Sequence, residues 1–180
     1  MAMAYAGYVN SARTELAKAE KVWAGTGAMR EAEVAFVTRF GDPIAAIKLD
    51  PEGYNTIQYY QTRANPSPAN IAKLKAGIDE FRSKVVVPAQ VGWAIQGLGE
   101  FGLVDDVYYW LGRLSDDDAA SISYILFRPA LASVRRDPRF MPLVSRIGLL
   151  GYWRSSGKWP DFCERPGIPY NCKTEAAKLK

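Results

Sequence analysis

Several short stretches of this chain carry residues at spacings that chemistry uses. Gly97-Leu98-Gly99-Glu100-Phe101-Gly102 has the GxGxxG spacing of a dinucleotide-binding turn. Acids follow it by about twenty residues, at Asp116, Asp117 and Asp118. In such a turn a strand leads into the glycines, and the pyrophosphate sits on the N-terminus of the helix that follows. Here the segment before Gly97 has a helical pattern, so nucleotide binding is not expected. Gly151 to Lys158 approaches a phosphate-binding loop, but five residues rather than four separate Gly151 from Gly157, and Trp159 stands where Ser or Thr would hold magnesium. Ser155-Ser156-Gly157-Lys158 contains SxxK with no supporting motif. The three consecutive aspartates lack the glycine and distant glutamate of a calcium loop. Acids in the first turn of a helix are favoured by its dipole without any metal. No cofactor and no metal are expected.

The chain has no histidine. That excludes Ser-His-Asp and Cys-His triads, HExxH zinc sites and histidine-ligated haem. Catalysis would fall to carboxylates, Lys, Tyr, Arg or Cys, and Glu100 is the one glutamate in an apolar setting. A carboxylate hydrolase needs a separation in space that sequence does not give, and the expectation is a protein that is not an enzyme. Cys163 and Cys172 are the only cysteines. Two thiols without histidine make a poor zinc site. Closed as a disulfide, their ring would contribute roughly 2.5 to 3 kcal/mol by loop entropy and pin the tail.

Aromatic residues are the remaining chemical signal. Tyr54, Tyr59, Tyr60, Trp93, Tyr108, Tyr109 and Trp110 fall on consecutive helical segments. Helical grooves bind peptides through such rings with arginine beside them. The candidate binding residues are therefore Tyr59, Tyr60, Arg63, Trp93, Tyr109 and Trp110, and packing between helices is the competing reading for each.

These residues sit in an ordinary globular composition. The chain has 180 residues, 48% of them apolar and 23% charged, enough for a real core. The net charge of +4 is unevenly placed. Six acids against Arg113 lie between Glu100 and Asp118, and eight bases against three acids lie between Arg128 and Arg165. A nucleic-acid patch is one reading. Mutual neutralisation within the chain or between neighbouring molecules is the favoured one, so no direct nucleic-acid binding is expected. The longest uncharged stretch, Val85 to Gly99, is too short and too polar to span a bilayer. No signal-peptide pattern opens the chain, and a start directly inside an amphipathic helix is what a piece of a longer protein would show.

Helical periodicity dominates. Tyr5, Tyr8, Val9, Ala12, Leu16, Ala19 and Trp23 predict one helix over residues 3 to 24, stopped by Gly25 and Gly27. A second stripe runs from Met29 to Phe40. Asp42-Pro43 and Ser67-Pro68 read as N-cap and N1 pairs. Tyr54 to Arg63 is ambiguous, and Val85-Val86-Val87 is the only strand-like run. Further helices are expected from Pro88, Val104, Ser115, Asp137 and Leu150, with an irregular tail from Lys158. This is an all-α pattern.

Two connections share their spacing: Val37, Gly41, Ala46 and Leu98, Gly102, Val107. A small residue at the turn lets antiparallel helices approach, and the residue five on is the first to pack back. That is the logic of a tetratricopeptide hairpin, though the two glycines do not stand a multiple of 34 residues apart. The C-terminal third is more specific: Phe127-Arg128-Pro129-Ala130-Leu131, Val134-Arg135-Arg136-Asp137-Pro138-Arg139-Phe140, Arg146-Ile147-Gly148-Leu149, Tyr152-Trp153 and Trp159-Pro160-Asp161-Phe162-Cys163. These resemble the end of the tetratricopeptide regions of bacterial winged-helix transcriptional regulators and adenylate-cyclase-like signalling proteins. The resemblance is strong over residues 127–163 and looser over 28–114. It implies a degenerate, right-handed tetratricopeptide-like solenoid over residues 1–157, with residues 158–180 as a capping tail. Phe140, Leu143 and Ile147 would seal the last hairpin, and Trp153, Trp159 and Phe162 would cover its end.

The implied function is a non-catalytic protein- or peptide-interaction region of a signalling or transcription-regulator protein, with self-association as an option. The alternative is a small-molecule sensor with a metabolite in a groove near Tyr59, Tyr60 and Trp93. A closed aromatic pocket would favour the sensor; an open, partly apolar groove would favour a partner. The compartment follows the cysteines: periplasmic if they are bonded, cytoplasmic otherwise.

Overall fold

A computed structural model describes residues 2–49, 56–82, 87–164 and 167–179. Among these every regular element is helical. The chain divides into two compact units, Met1–Glu80 and Phe81–Lys180.

The first unit holds α1 (Ala2–Tyr5), α2 (Val9–Trp23), α3 (Gly27–Phe40), α4 (Pro43–Leu49) and α5 (Thr56–Ala64), with α6 (Pro68–Arg82) at its end. The helix expected over residues 3 to 24 is broken. Gly7 takes φ +98°, its N–H bonds the Ala4 carbonyl, and the Tyr8 N–H bonds the Met3 carbonyl. This is a Schellman closure, and glycine's ease at positive φ outweighs an apolar period that runs straight through it. Thr26 caps α3 by accepting from the Met29 N–H, Asp42 caps α4 through the Ile44 N–H, and Ser67 caps α6 through the Asn70 N–H. Consecutive helices from α1 to α5 pack on one another. The ambiguous stretch resolves as α5. Tyr54, Val85 and Val86 lie outside the described residues.

The second unit holds α7 (Pro88–Glu100), α8 (Val104–Gly112), α9 (Asp116–Ser121), α10 (Ala132–Arg135), α11 (Phe140–Arg146), α12 (Leu149–Ser156) and α13 (Cys172–Lys178). Short 3-10 turns at Ser123–Phe127, Pro129–Leu131 and Asp161–Cys163 connect them. α7 is the hub, packed against α8, α9, α10 and the turn at 129–131. Its Val91, Ala94, Ile95 and Leu98 are fully buried. Gly99 sits where the chain comes closest: a β-carbon there would lie 2.2 Å from Leu131 Cδ2 and 2.7 Å from the Ala130 carbonyl oxygen.

Both shared-spacing turns bring their helices together. Gly41 packs on Val37, Gly102 turns at φ +73°, and Ala46 and Val107 are buried five residues on. At the C-terminal end Phe127, Phe140, Trp153, Trp159 and Phe162 form one aromatic cluster, with Phe140 and Phe162 centroids 5.4 Å apart. Phe140 is fully buried, and Leu143 and Ile147 are buried beside it in the sequence. The tail is less irregular than its composition indicates, because Asn171 caps α13 by accepting from the Thr174 N–H. α13 packs on α11, and the Cys163 and Cys172 sulfurs stand 2.10 Å apart, a disulfide distance.

Candidate functional site

The six residues expected to bind divide between the two units. In the first, Tyr59 and Tyr60 are core side chains, 0% and 1% exposed. The Tyr60 hydroxyl is 2.8 Å from Thr38 Oγ1, and Arg39 donates to the Tyr59 hydroxyl at 3.2 Å. Arg63 donates to the carbonyls of Thr38 at 2.7 Å and Arg39 at 3.3 Å. These are carbonyls of the last turn of α3, which lack intrahelical partners and carry the negative end of the helix dipole. Arg63 is thus a helix cap supplied from α5. The three residues hold α3 and α5 together and leave no aromatic surface for a ligand.

In the second unit Trp93 is half-buried on α7. Trp110 is buried, and its Nε1 has no hydrogen-bond partner among the described residues. Tyr109 is exposed, edge-on to the Trp110 ring with centroids 5.4 Å apart. The Arg113 guanidinium lies over both rings, at 5.7 and 5.5 Å. Of the six, Tyr109 alone presents an aromatic ring mainly to solvent.

The motif-like stretches have structural explanations. Gly97 and Gly99 lie in the last turn of α7 and Gly102 makes the turn into α8, so a helix and not a strand leads into the glycines, unlike a dinucleotide-binding turn. Gly157 closes α12 at φ +68°, with the Ser156 hydroxyl bonded to the Tyr152 carbonyl and accepting from the Lys158 N–H. Ser115 caps α9 by accepting from the Asp118 N–H. No group of three acids or cysteines among the described residues is placed to hold a metal.

The acidic and basic segments meet. Arg139 pairs with Asp105 at 2.7 Å and Asp137 at 2.8 Å, and Arg146 lies 3.3 Å from Asp116. Other bases of the run serve helix ends and turns. Arg146 donates to the Leu111 carbonyl in the last turn of α8. Arg154 donates to the Ala176 and Leu179 carbonyls at the end of α13. Arg135 reaches the carbonyls of Leu126 and Arg128, while Arg128 donates to the buried Gln96 amide oxygen at 2.5 Å.

Where α8 and α11 face each other they leave an open slot of about 210 Å³, lined by Tyr108, Leu111, Gly112, Arg139, Pro142, Leu143 and Arg146. The floor is apolar, and a β-carbon on Gly112 would meet nothing within 4 Å. Arg139 and Arg146, seven residues apart and so on one face of the helix, carry the charge. Each also has an Nη1 that makes no hydrogen bond among the described residues. Arg139 stacks 4.4 Å over the Tyr108 ring. The Tyr108 hydroxyl donates to the Val134 carbonyl. Burial, then the charge of Asp137, push its pKa far above the ordinary tyrosine value, so it remains a donor. Hydrogen bonding from Arg139 holds the Asp137 carboxyl below its usual range.

Sequence reasoning passed over this slot because it ranked aromatics by cluster. The available signal was the pair Arg139 and Arg146 bracketing Pro142 and Leu143, opposite Tyr108, Leu111 and Gly112 at helical spacing.

Comparison of the chain with protein-family models, with curated proteins and with solved structures returned no match.

Proposed function

We propose that this chain is a non-catalytic, tetratricopeptide-like interaction region that binds a protein or peptide partner, of the kind that serves bacterial signalling or transcription-regulator proteins. The observation that carries it is the slot between α8 and α11: open, floored by Leu111, Pro142 and Leu143, and rimmed by Arg139 and Arg146. Its volume is below the roughly 300–1,000 Å³ of small-molecule pockets, but it suits one or two side chains of a peptide. The sensor alternative draws no support from Tyr59 and Tyr60, whose rings are buried and whose hydroxyls are paired. The chemistry of the rim fits a peptide with an apolar residue beside a carboxylate. Such a carboxylate would take the remaining guanidinium N–H groups or displace the exposed Asp105, since exposed pairs are worth only about 0–1 kcal/mol.

The test is fluorescence anisotropy of the intact chain against short labelled peptides pairing Leu or Phe with Asp or Glu. Gly112→Phe fills the slot at a position where a new side chain meets open space. Micromolar binding lost in this variant, with an unchanged melting temperature, supports the reading. Binding that survives Gly112→Phe, or no binding by any such peptide, refutes it.

A further inference from the structure

The last helix of the second unit is held by little besides a covalent bond. α13 has seven residues, well short of the roughly 12–15 that an isolated helix needs in water. Only Cys172 and Ala176 among them are buried, and α11 is the one described helix on which α13 packs closely. The rest of its attachment is polar. Arg154 donates to the Ala176 and Leu179 carbonyls, the Tyr170 hydroxyl donates to the Arg135 carbonyl, and Lys173 lies 5.9 Å over the Trp159 ring. Cys163 and Cys172, nine positions apart, close the strap onto the aromatic cluster, where Phe162 stands against Phe140.

The bond joins an accessible cysteine to a sheltered one. Cys163 is half-buried and Cys172 is 2% exposed, so an incoming thiolate meets the Cys163 sulfur first. Exchange then runs in two steps. A thiolate of a dithiol attacks Cys163 Sγ, the S–S bond breaks, and the Cys172 sulfur leaves as a thiolate that takes up a proton. The second sulfur of the dithiol displaces Cys163 in turn. The dithiol is oxidised to a disulfide, and the two cysteines gain two electrons and two protons. Opening a ring of this size raises the weight of the detached strap by up to about a hundredfold. We infer that the Cys163–Cys172 bond is a redox latch: reduction by a dithiol releases α13 from α11 while α7 to α12 keep their fold. The hub helix α7 draws its close packing from α8, α9, α10 and the turn at 129–131, not from the strap. α13 also contributes no residue to the slot. Phe140, Met141 and Val144 are fully buried on the face of α11 turned away from the slot. Release of the strap uncovers apolar surface there, and the redox state of one bond selects between the covered and the open form.

Amide hydrogen exchange of the intact chain, read by mass spectrometry before and after dithiothreitol at pH 8, tests this. Peptides from residues 167–179 exchange ten- to a hundredfold faster once the bond is reduced. Peptides from α7 and α8 do not change, and reoxidation restores the first pattern. Cys163→Ala with Cys172→Ala shows the fast pattern without reductant, and dithiothreitol adds nothing to it. Equal protection of α13 in the oxidised and reduced chains overturns the inference. Faster exchange throughout residues 88–156 overturns it too, because the bond would then staple the whole unit. A bond that dithiothreitol reduces only in denaturant overturns it equally.

Discussion

Replacing Gly99 by alanine separates close helix packing from nucleotide binding as the reason for the glycine-rich stretch. The added carbon would lie 2.2 Å from Leu131 Cδ2 and 2.7 Å from the Ala130 carbonyl oxygen. The leucine methyl can rotate away, but the carbonyl belongs to the turn at 129–131 and can retreat only if that turn leaves α7. Overpacking of this kind costs up to about 3 kcal/mol, and alanine returns about 1 kcal/mol of helix propensity. The net loss is about 2 kcal/mol, a fall in melting temperature of roughly 4–8 °C for a chain of this size. Gly92→Ala is the control. It sits in the same helix and gains the same propensity, but its new carbon meets the tip of Ile125, Cδ1 at 2.5 Å, which can change rotamer. Its stability should stay within about 1 kcal/mol of wild type. Thermal and urea denaturation followed by circular dichroism measure both. Equal shifts in the two variants, or a Gly99→Ala protein as stable as wild type, would refute the packing argument.

Two further outcomes follow from the arginine and tyrosine contacts. Arg63→Ala strips the end of α3 of two charge-assisted bonds and should cost about 1.5–3 kcal/mol in urea denaturation. Arg63→Lys should recover only part of this, because an ammonium lacks the planar fork that reaches two carbonyls; a neutral Arg63→Ala would exclude the capping role. Burial, aided by the Asp137 charge, pushes the Tyr170 hydroxyl from 10.0 up to about 12. A raised folded-state value means that its share of stability is present below pH 10 and lost as pH climbs from 10 towards 12. Tyr170→Phe should flatten the denaturation midpoint across that window, and an unchanged slope would count against the burial argument.

Much of the helical plan is legible in the sequence because capping is local. Asp42-Pro43, Ser67-Pro68 and Ser115 each satisfy N–H groups two or three residues away, so residue type and position suffice. The same holds for the turns at Gly102 and Gly157. The first helix departs from its periodicity because an apolar stripe carries no information about φ, and Gly7 breaks the helix without disturbing the stripe. α13 is hidden in the sequence because Pro166, Gly167 and Pro169 dominate the composition around a short helix whose cap, Asn171, stands just beyond them. The neutralisation expected of the charge segments is met in part within the chain, where Asp105 and Asp116 pair with Arg139 and Arg146.

The binding candidates show where local reading ends. Tyr59 and Tyr109 are both tyrosines beside another aromatic residue on a short helix. One is fully buried and the other mainly exposed, because burial depends on which neighbour arrives on each face. Arginine shows it more sharply. Arg63, Arg146 and Arg154 complete the ends of α3, α8 and α13 across 22 to 35 residues of sequence. By itself the sequence determined that this chain is helical, where most of its helices start and stop, and that no histidine is present for histidine-dependent chemistry. Only the tertiary structure decided which arginines are spent on helix ends and which line an open slot. A side-chain N-cap needs only a residue two or three positions away, whereas these guanidinium groups need carbonyls that folding alone brings within reach.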